Sequence, residues 1–173
     1  MYDAAATIRS RGPDDLPELV AALARVAADD RYPSRWPDDP AAWLRTRDPI
    51  AAWVADRDGD LLGQVVLQRA GQQRPVALWC ELSGEDPASC ALVSRLFVVA
   101  SARGSGIGRT LVETACAKAA ELRLRPLLDV VDTNRAAVHL YHRLGWTHIG
   151  SHEETFSDDG PPETLHCFAY VSI

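Results

Sequence analysis

Apolar residues along this chain alternate between two spacings, and the changes of spacing mark out its elements. A short apolar run at Ala6–Ser10 predicts a first strand. After Pro13, the residues Leu16, Leu19, Val20, Leu23 and Val26 recur near the helical period, predicting a helix to about Ala28. Pro33, Pro37 and Pro40 then forbid regular structure over Asp29–Pro40, and a short helix is expected at Ala41–Thr46. Ala51–Asp56 and Leu61–Arg69 predict strands, with Asp58-Gly59 as a tight hairpin turn between them. In Gln72–Glu85, Val76, Trp79, Cys80 and Leu82 share one helical face, and Gly84 suits a left-handed stop. Ala91–Val99 reads as a strand and Ile107–Leu122 as a helix, its stripe formed by Ile107, Leu111, Ala115, Ala119 and Leu122. Pro126–Val131, a helix over Asn134–Leu144 closed by Gly145, and the strands Trp146–Thr155 and Leu165–Val171 complete the chain.

The central strand–helix–strand passage calls for parallel neighbours, whereas the hairpins call for antiparallel ones. The expected fold is α/β (α+β), with a mixed, mostly antiparallel sheet flanked by helices. No repeat, low-complexity tract or Gly/Ser linker divides the 173 residues, so one domain over 1–173 is expected. Composition narrows the function classes. No apolar run is long enough to span a membrane, and Met1-Tyr2-Asp3-Ala4 lacks the basic lead of a secretory signal, so a cytoplasmic location is expected. A net charge of −6 argues against nucleic-acid binding and favours a cationic partner such as an amine. Cys80, Cys90, Cys116 and Cys167 show neither C-x-x-C spacing nor a companion His pair, which predicts free thiols and no metal.

The candidate chemistry begins at Leu96-Phe97-Val98-Val99-Ala100-Ser101-Ala102-Arg103-Gly104-Ser105-Gly106-Ile107-Gly108-Arg109, where a strand runs through a glycine loop into a helix. Glycines at alternate positions let backbone N–H groups face an anion at the positive end of the helix. A nucleoside-triphosphate P-loop is excluded: aligned on Gly108-Arg109-Thr110, its first glycine falls on Arg103 and its lysine is Arg109. The dinucleotide fingerprint matches only Gly104-x-Gly106, because Arg109 stands where the third glycine belongs.

Arg103-Gly104-Ser105-Gly106-Ile107-Gly108 resembles the phosphate loop of the GNAT superfamily of acyl-CoA-dependent N-acyltransferases. Downstream, Asn134-Arg135-Ala136-Ala137-Val138-His139-Leu140-Tyr141-His142-Arg143-Leu144-Gly145-Trp146 is similar to the family's second signature. The two motifs cover roughly Leu92 to Gly150; before that the likeness is one of element order. The resemblance implies acetyl-CoA as co-substrate and no metal. Backbone groups of Leu96, Phe97 and Val98 would pair with the pantetheine arm, an irregularity near Phe97–Val98 freeing an N–H for the thioester carbonyl. The loop Arg103, Gly104, Ser105, Gly106, Ile107, Gly108 and Arg109 would hold the pyrophosphate, and Asn134 would cap its helix and touch the cofactor arm. Tyr141 would be the general acid for the departing thiolate. Asp129 is the candidate general base, with Glu81 and Asp132 as rivals. His139 and His142 flank Tyr141 in sequence but are expected at the surface.

For the acceptor, the resemblance nominates Tyr32, Trp36, Trp79 and Glu81, with Asp158 and Asp159 of the final loop in reserve. The acceptor is expected to be a small-molecule amine or a protein N-terminal or lysine amine, with no nucleic-acid or membrane partner; similar proteins are often homodimers. Two other classes compete: an acyl-CoA-binding module without chemistry, against which Tyr141 argues, and a nicotinamide-dependent oxidoreductase, against which Arg109 argues.

Overall fold

The computed structural model describes residues 5–158 and 160–171; Asp159 and Met1–Ala4 lie outside the described residues. The elements follow the expected order: β1 (Thr7–Ser10), α1 (Leu16–Asp30), α2 (Pro40–Arg45), β2 (Pro49–Arg57), β3 (Asp60–Arg69), α3 (Arg74–Ser83), β4 (Cys90–Val98), α4 (Ile107–Glu121), β5 (Arg125–Val131), α5 (Arg135–Arg143), β6 (Thr147–Glu154) and β7 (Glu163–Ala169). Single 3₁₀ turns precede α1, β4 and the glycine loop. The sheet has seven strands in the order β1-β2-β3-β4-β5-β7-β6, mostly antiparallel, with β4 and β5 parallel. Backbone contacts divide the chain into two compact units, Met1–Leu67 with Arg95–Ala115 and Gln68–Ser94 with Cys116–Ile173.

In the first unit, β1 pairs antiparallel with β2, Thr7 opposite Asp56 and Ser10 opposite Trp53. Asp58 and Gly59 both take positive φ, 52° and 92°, which a two-residue turn with the twist of its strands requires. The Asp56 carboxylate accepts from the Gly59 N–H at 2.8 Å and closes the turn. Leu19, Leu23, Leu44, Val54, Leu61, Val65 and Leu111 are fully buried and form the apolar interior. Gly63 of β3 lies against the β4 backbone: a Cβ there would sit 2.3 Å from the Phe97 carbonyl oxygen.

In the second unit, β4 runs parallel to β5 from Cys90–Arg125 to Leu92–Leu127. On its other side β5 pairs with β7 over Leu127–Val131. β7 therefore lies between β5 and β6, although it follows β6 in the chain. The inserted helix α3 seats Val76 among Leu92, Leu127 and Ala169, with Trp79, Cys80 and Ile149 around them. Gly84 stops it at φ 74°, its N–H returning to the Cys80 carbonyl at 2.9 Å. No helix of the described residues is long and apolar enough to cross a membrane.

Candidate active site

The phosphate-loop candidate lies in the first unit. Gly104 and Gly106 take φ of 77° and 86°, conformations that side-chain-bearing residues rarely adopt, while Gly108 sits in the first turn of α4. The first helical bond of α4 runs from the Thr110 N–H to the Gly106 carbonyl at 3.0 Å. The N–H groups of Ile107, Gly108 and Arg109 precede that bond, at the positive end of the helix. Two tethers shape the loop. The Ser105 hydroxyl donates to the Ala102 carbonyl at 2.6 Å, and Arg103 donates through Nε to the Val98 carbonyl at 3.0 Å. Arg103 also forks onto the Asp30 carboxylate, which holds its guanidinium even further above its ordinary range. Arg109 pairs with Glu113 one turn on, an exposed ion pair of small energetic weight. Arg103 is thus tied down within the protein while Arg109 is held only by an exposed pair, and the anion-facing groups that the fold fixes in this loop are its backbone N–H groups.

Leu96, Phe97 and Val98 close β4 with Phe97 buried, and the Val99 N–H bonds to the Leu62 carbonyl at 2.8 Å. A backbone irregularity lies at Arg95, φ 55°, two residues before Phe97. A left-handed residue inside a strand is a bulge-type kink that re-aims the residues after it. Its guanidinium explains where it sits: Nε donates to the Trp43 carbonyl at 3.0 Å and Cζ stacks 3.9 Å over the Trp43 ring. Tyr32 meets the same indole edge-on at 5.8 Å, while Trp36 is 43 % exposed. Of the two aromatic acceptor candidates in this unit, Tyr32 is part of an aromatic cluster and Trp36 is the more exposed. Sequence reasoning passed over Trp43 and Arg95.

The second unit carries the remaining candidates. Asn134 caps α5 by accepting from the Ala137 N–H at 3.3 Å. Tyr141 is 5 % exposed, its ring edge-on to Trp146 at 5.7 Å and tilted against Phe168 at 6.0 Å. Asp129 is exposed on β5 opposite Cys167, two residues beyond Leu127 and hence on the sheet face that α3 covers. Burial, reinforced by the Asp129 charge, pushes the Cys167 thiol up to about 12, and burial pushes Cys90 to about 11. Neither thiol is an available nucleophile near neutral pH. Trp79 donates to Glu85 at 2.9 Å beneath the Arg125 guanidinium, so its indole serves the seating of α3; Glu81 is exposed on the same helix. Asp158 is exposed in the final loop, and Asp159 lies outside the described residues.

Asp132, the rival base, is engaged in a chain of side-chain hydrogen bonds. His166 Nε2 lies 3.0 Å from Asp132, His166 Nδ1 2.9 Å from the Ser151 hydroxyl, and His148 Nε2 3.1 Å from that same hydroxyl. An ionised Asp132 accepts from His166 Nε2–H, which leaves Nδ1 to accept from Ser151 and Ser151 to accept from His148. Burial, and then the neighbouring His166 and His142, lower the His148 pKa below its ordinary value of 6.5. The folded state thus disfavours the charged imidazole, and this group costs stability as pH falls through 6.5. Thermal unfolding is expected at a lower midpoint at pH 5.5 than at pH 7.5, with a smaller drop in His148→Gln. An equal drop in the variant would assign the effect elsewhere.

Comparison with known proteins agrees with this geometry. The family model of the acetyltransferase (GNAT) family matches residues 17–146, and the chain belongs to that family. It is an acyltransferase. Arabidopsis thaliana NAA60 in complex with acetyl-CoA has the same fold, with a TM-score of 0.73, 20% identity, and coverage of 95% of this chain and 97% of that one. The ribosomal-protein-S18-alanine N-acetyltransferase from Escherichia coli is similar at a TM-score of 0.69 and 18% identity, with coverage of 95% and 92%. For yncA from Salmonella typhimurium, with its cofactor acetyl-CoA, the values are 0.71, 18%, 96% and 94%. Among curated protein sequences, none matches significantly.

Proposed function

We propose that this protein is an N-acetyltransferase that moves the acetyl group of acetyl-CoA onto a primary amine by direct attack in a ternary complex. The observation that carries the reading is the glycine loop, where Gly104 and Gly106 in left-handed conformations lead into the N-terminus of α4. That backbone fits a pyrophosphate, a part of acetyl-CoA that demands a concentrated set of N–H donors. Ser105, Ile107, Gly108 and Arg109 contribute backbone groups, and Arg103 fixes the loop to Val98 and Asp30. Acetyl-CoA supplies an acyl thioester. Backbone groups of Leu96, Phe97 and Val98 hold its arm, together with the Asn134 side chain. Asp129 takes one proton of the incoming ammonium, and the freed nitrogen attacks the thioester carbonyl. The Tyr141 hydroxyl gives its proton to the sulfur as the C–S bond breaks, and the second nitrogen proton restores the hydroxyl. Tyr32, Trp36, Trp79 and Glu81 are the acceptor contacts of this reading.

The acetyl-CoA complexes of NAA60 and yncA support the donor, and the S18-alanine N-acetyltransferase supports a protein N-terminal amine among the acceptor classes. A cytoplasmic location belongs to the same reading. Thermal-shift titration tests it. At about 100 times its dissociation constant, a ligand stabilises the folded state by roughly 2.7 kcal/mol, about 5–10 °C for a chain of this size. A shift with acetyl-CoA and CoA, and none with NADH or ATP, is expected. A shift with NADH alone would overturn the reading.

A further inference from the structure

Among the described residues, Gln64 is the one polar residue with a fully buried side chain, at 0 % exposure in the middle of β3. Both ends of its amide take part in a bridge. Oε1 accepts from the Arg11 guanidinium at 2.9 Å, and Nε2 donates to the Arg95 carbonyl at 3.4 Å. The same Arg11 nitrogen donates to the Leu44 carbonyl at 2.7 Å. Burial pulls the Arg11 pKa down, the mark of a cation taken out of water for its hydrogen bonds. Four segments meet at this bridge: the end of β1, the α2 turn, β3, and the kinked residue of β4. A second tie, from Arg95 Nε to the Trp43 carbonyl, anchors the kink to α2.

We propose that Gln64, held by Arg11, is a positioning residue for acetyl transfer: it clamps the left-handed kink at Arg95 and so sets where the backbone groups of Leu96–Val98 point. A positive φ at a residue bearing a side chain is a strained state that persists only when its surroundings hold it. Here the holding groups are a buried amide on the carbonyl side of Arg95 and an indole under its guanidinium. Relaxing the kink would rotate the peptides that follow it, and those are the donors and acceptors the proposed function assigns to the acyl arm. Gln64 touches neither donor nor acceptor, so its effect reaches the reaction only through that backbone.

The inference rests on the proposed function, and the tests keep the two apart. Wild-type protein must first bind acetyl-CoA and turn over; if it does neither, it is the functional reading that fails. Gln64→Glu keeps an acceptor for Arg11 and removes the donor to Arg95. The double variant R11M/Q64L removes the buried cation and its partner together, leaving no uncompensated charge. Each is expected to keep acetyl-CoA binding through the untouched glycine loop, weakened by less than kcat, which falls about 10- to 100-fold. Isotope-edited infrared spectra of bound [1-¹³C]acetyl-CoA are expected to show the thioester carbonyl stretch moving back toward its position in free acetyl-CoA. A folded variant with wild-type kcat and an unshifted carbonyl band would overturn the assignment. Loss of folding in both variants would make Gln64 a structural support alone and overturn it equally.

Discussion

Tyr141→Phe is expected to lower kcat by about 100-fold or more while leaving acetyl-CoA affinity close to wild type. The ring is packed against Trp146 and Phe168 and is almost wholly buried, so phenylalanine refills the same volume and preserves the aromatic cluster. What disappears is one hydroxyl. If that hydroxyl delivers the proton to the departing sulfur, the loss falls on the chemical step and not on binding. Steady-state kinetics beside calorimetric binding separates the two. An unchanged kcat would remove Tyr141 from the reaction and leave it an aromatic core residue. The non-catalytic acyl-CoA-binding alternative predicts that outcome trivially, since wild type itself would show no turnover.

Gly63→Ala is expected to damage both stability and turnover, although alanine is the smallest possible addition. The new methyl would meet the Phe97 carbonyl oxygen at 2.3 Å and the Val98 Cα at 3.1 Å. Both are backbone atoms, so no side-chain rotation relieves the overlap, and β3 must part from β4. Overpacking of this kind costs about 1–3 kcal/mol, which lowers the unfolding midpoint by about 2–12 °C in a protein of this length. The separation falls on the Leu96–Val98 backbone, where misplacement approaching 1 Å costs about 100-fold in rate. Thermal unfolding and kcat on the same preparation check both effects. A variant with wild-type midpoint and kcat would show that β3 and β4 do not approach as described.

The elements that were legible in the sequence are those whose cause is local. Asp58-Gly59 makes its turn because both residues tolerate positive φ, and Gly84 stops α3 for the same reason. The glycine loop and the Asn134 cap are likewise written in residue type. The kink at Arg95 was not legible, because arginine has no intrinsic preference for φ 55° and takes it here beside Gln64 and Trp43. A signal existed: Gln64 interrupts an otherwise apolar run from Leu61 to Leu67, and a lone polar residue in such a run is more informative than its neighbours. The placement of β7 between β5 and β6 depends on long-range pairing, which spacing along the chain does not encode. The partners of Trp79, Glu85 through its indole N–H and Arg125 over its ring, were likewise not legible, because spacing along the chain does not encode which side chains meet in space.

The central claim is tested most directly by incubating the protein with acetyl-CoA and a panel of amines: a polyamine, an amino acid, and peptides with a free N-terminus or a single lysine. Thiol release is measured beside mass spectrometry of the amines. The account predicts that at least one amine gains one acetyl group for each CoA released. CoA release without an acetylated amine, or acetyl-CoA bound and left intact with every amine class, would contradict it.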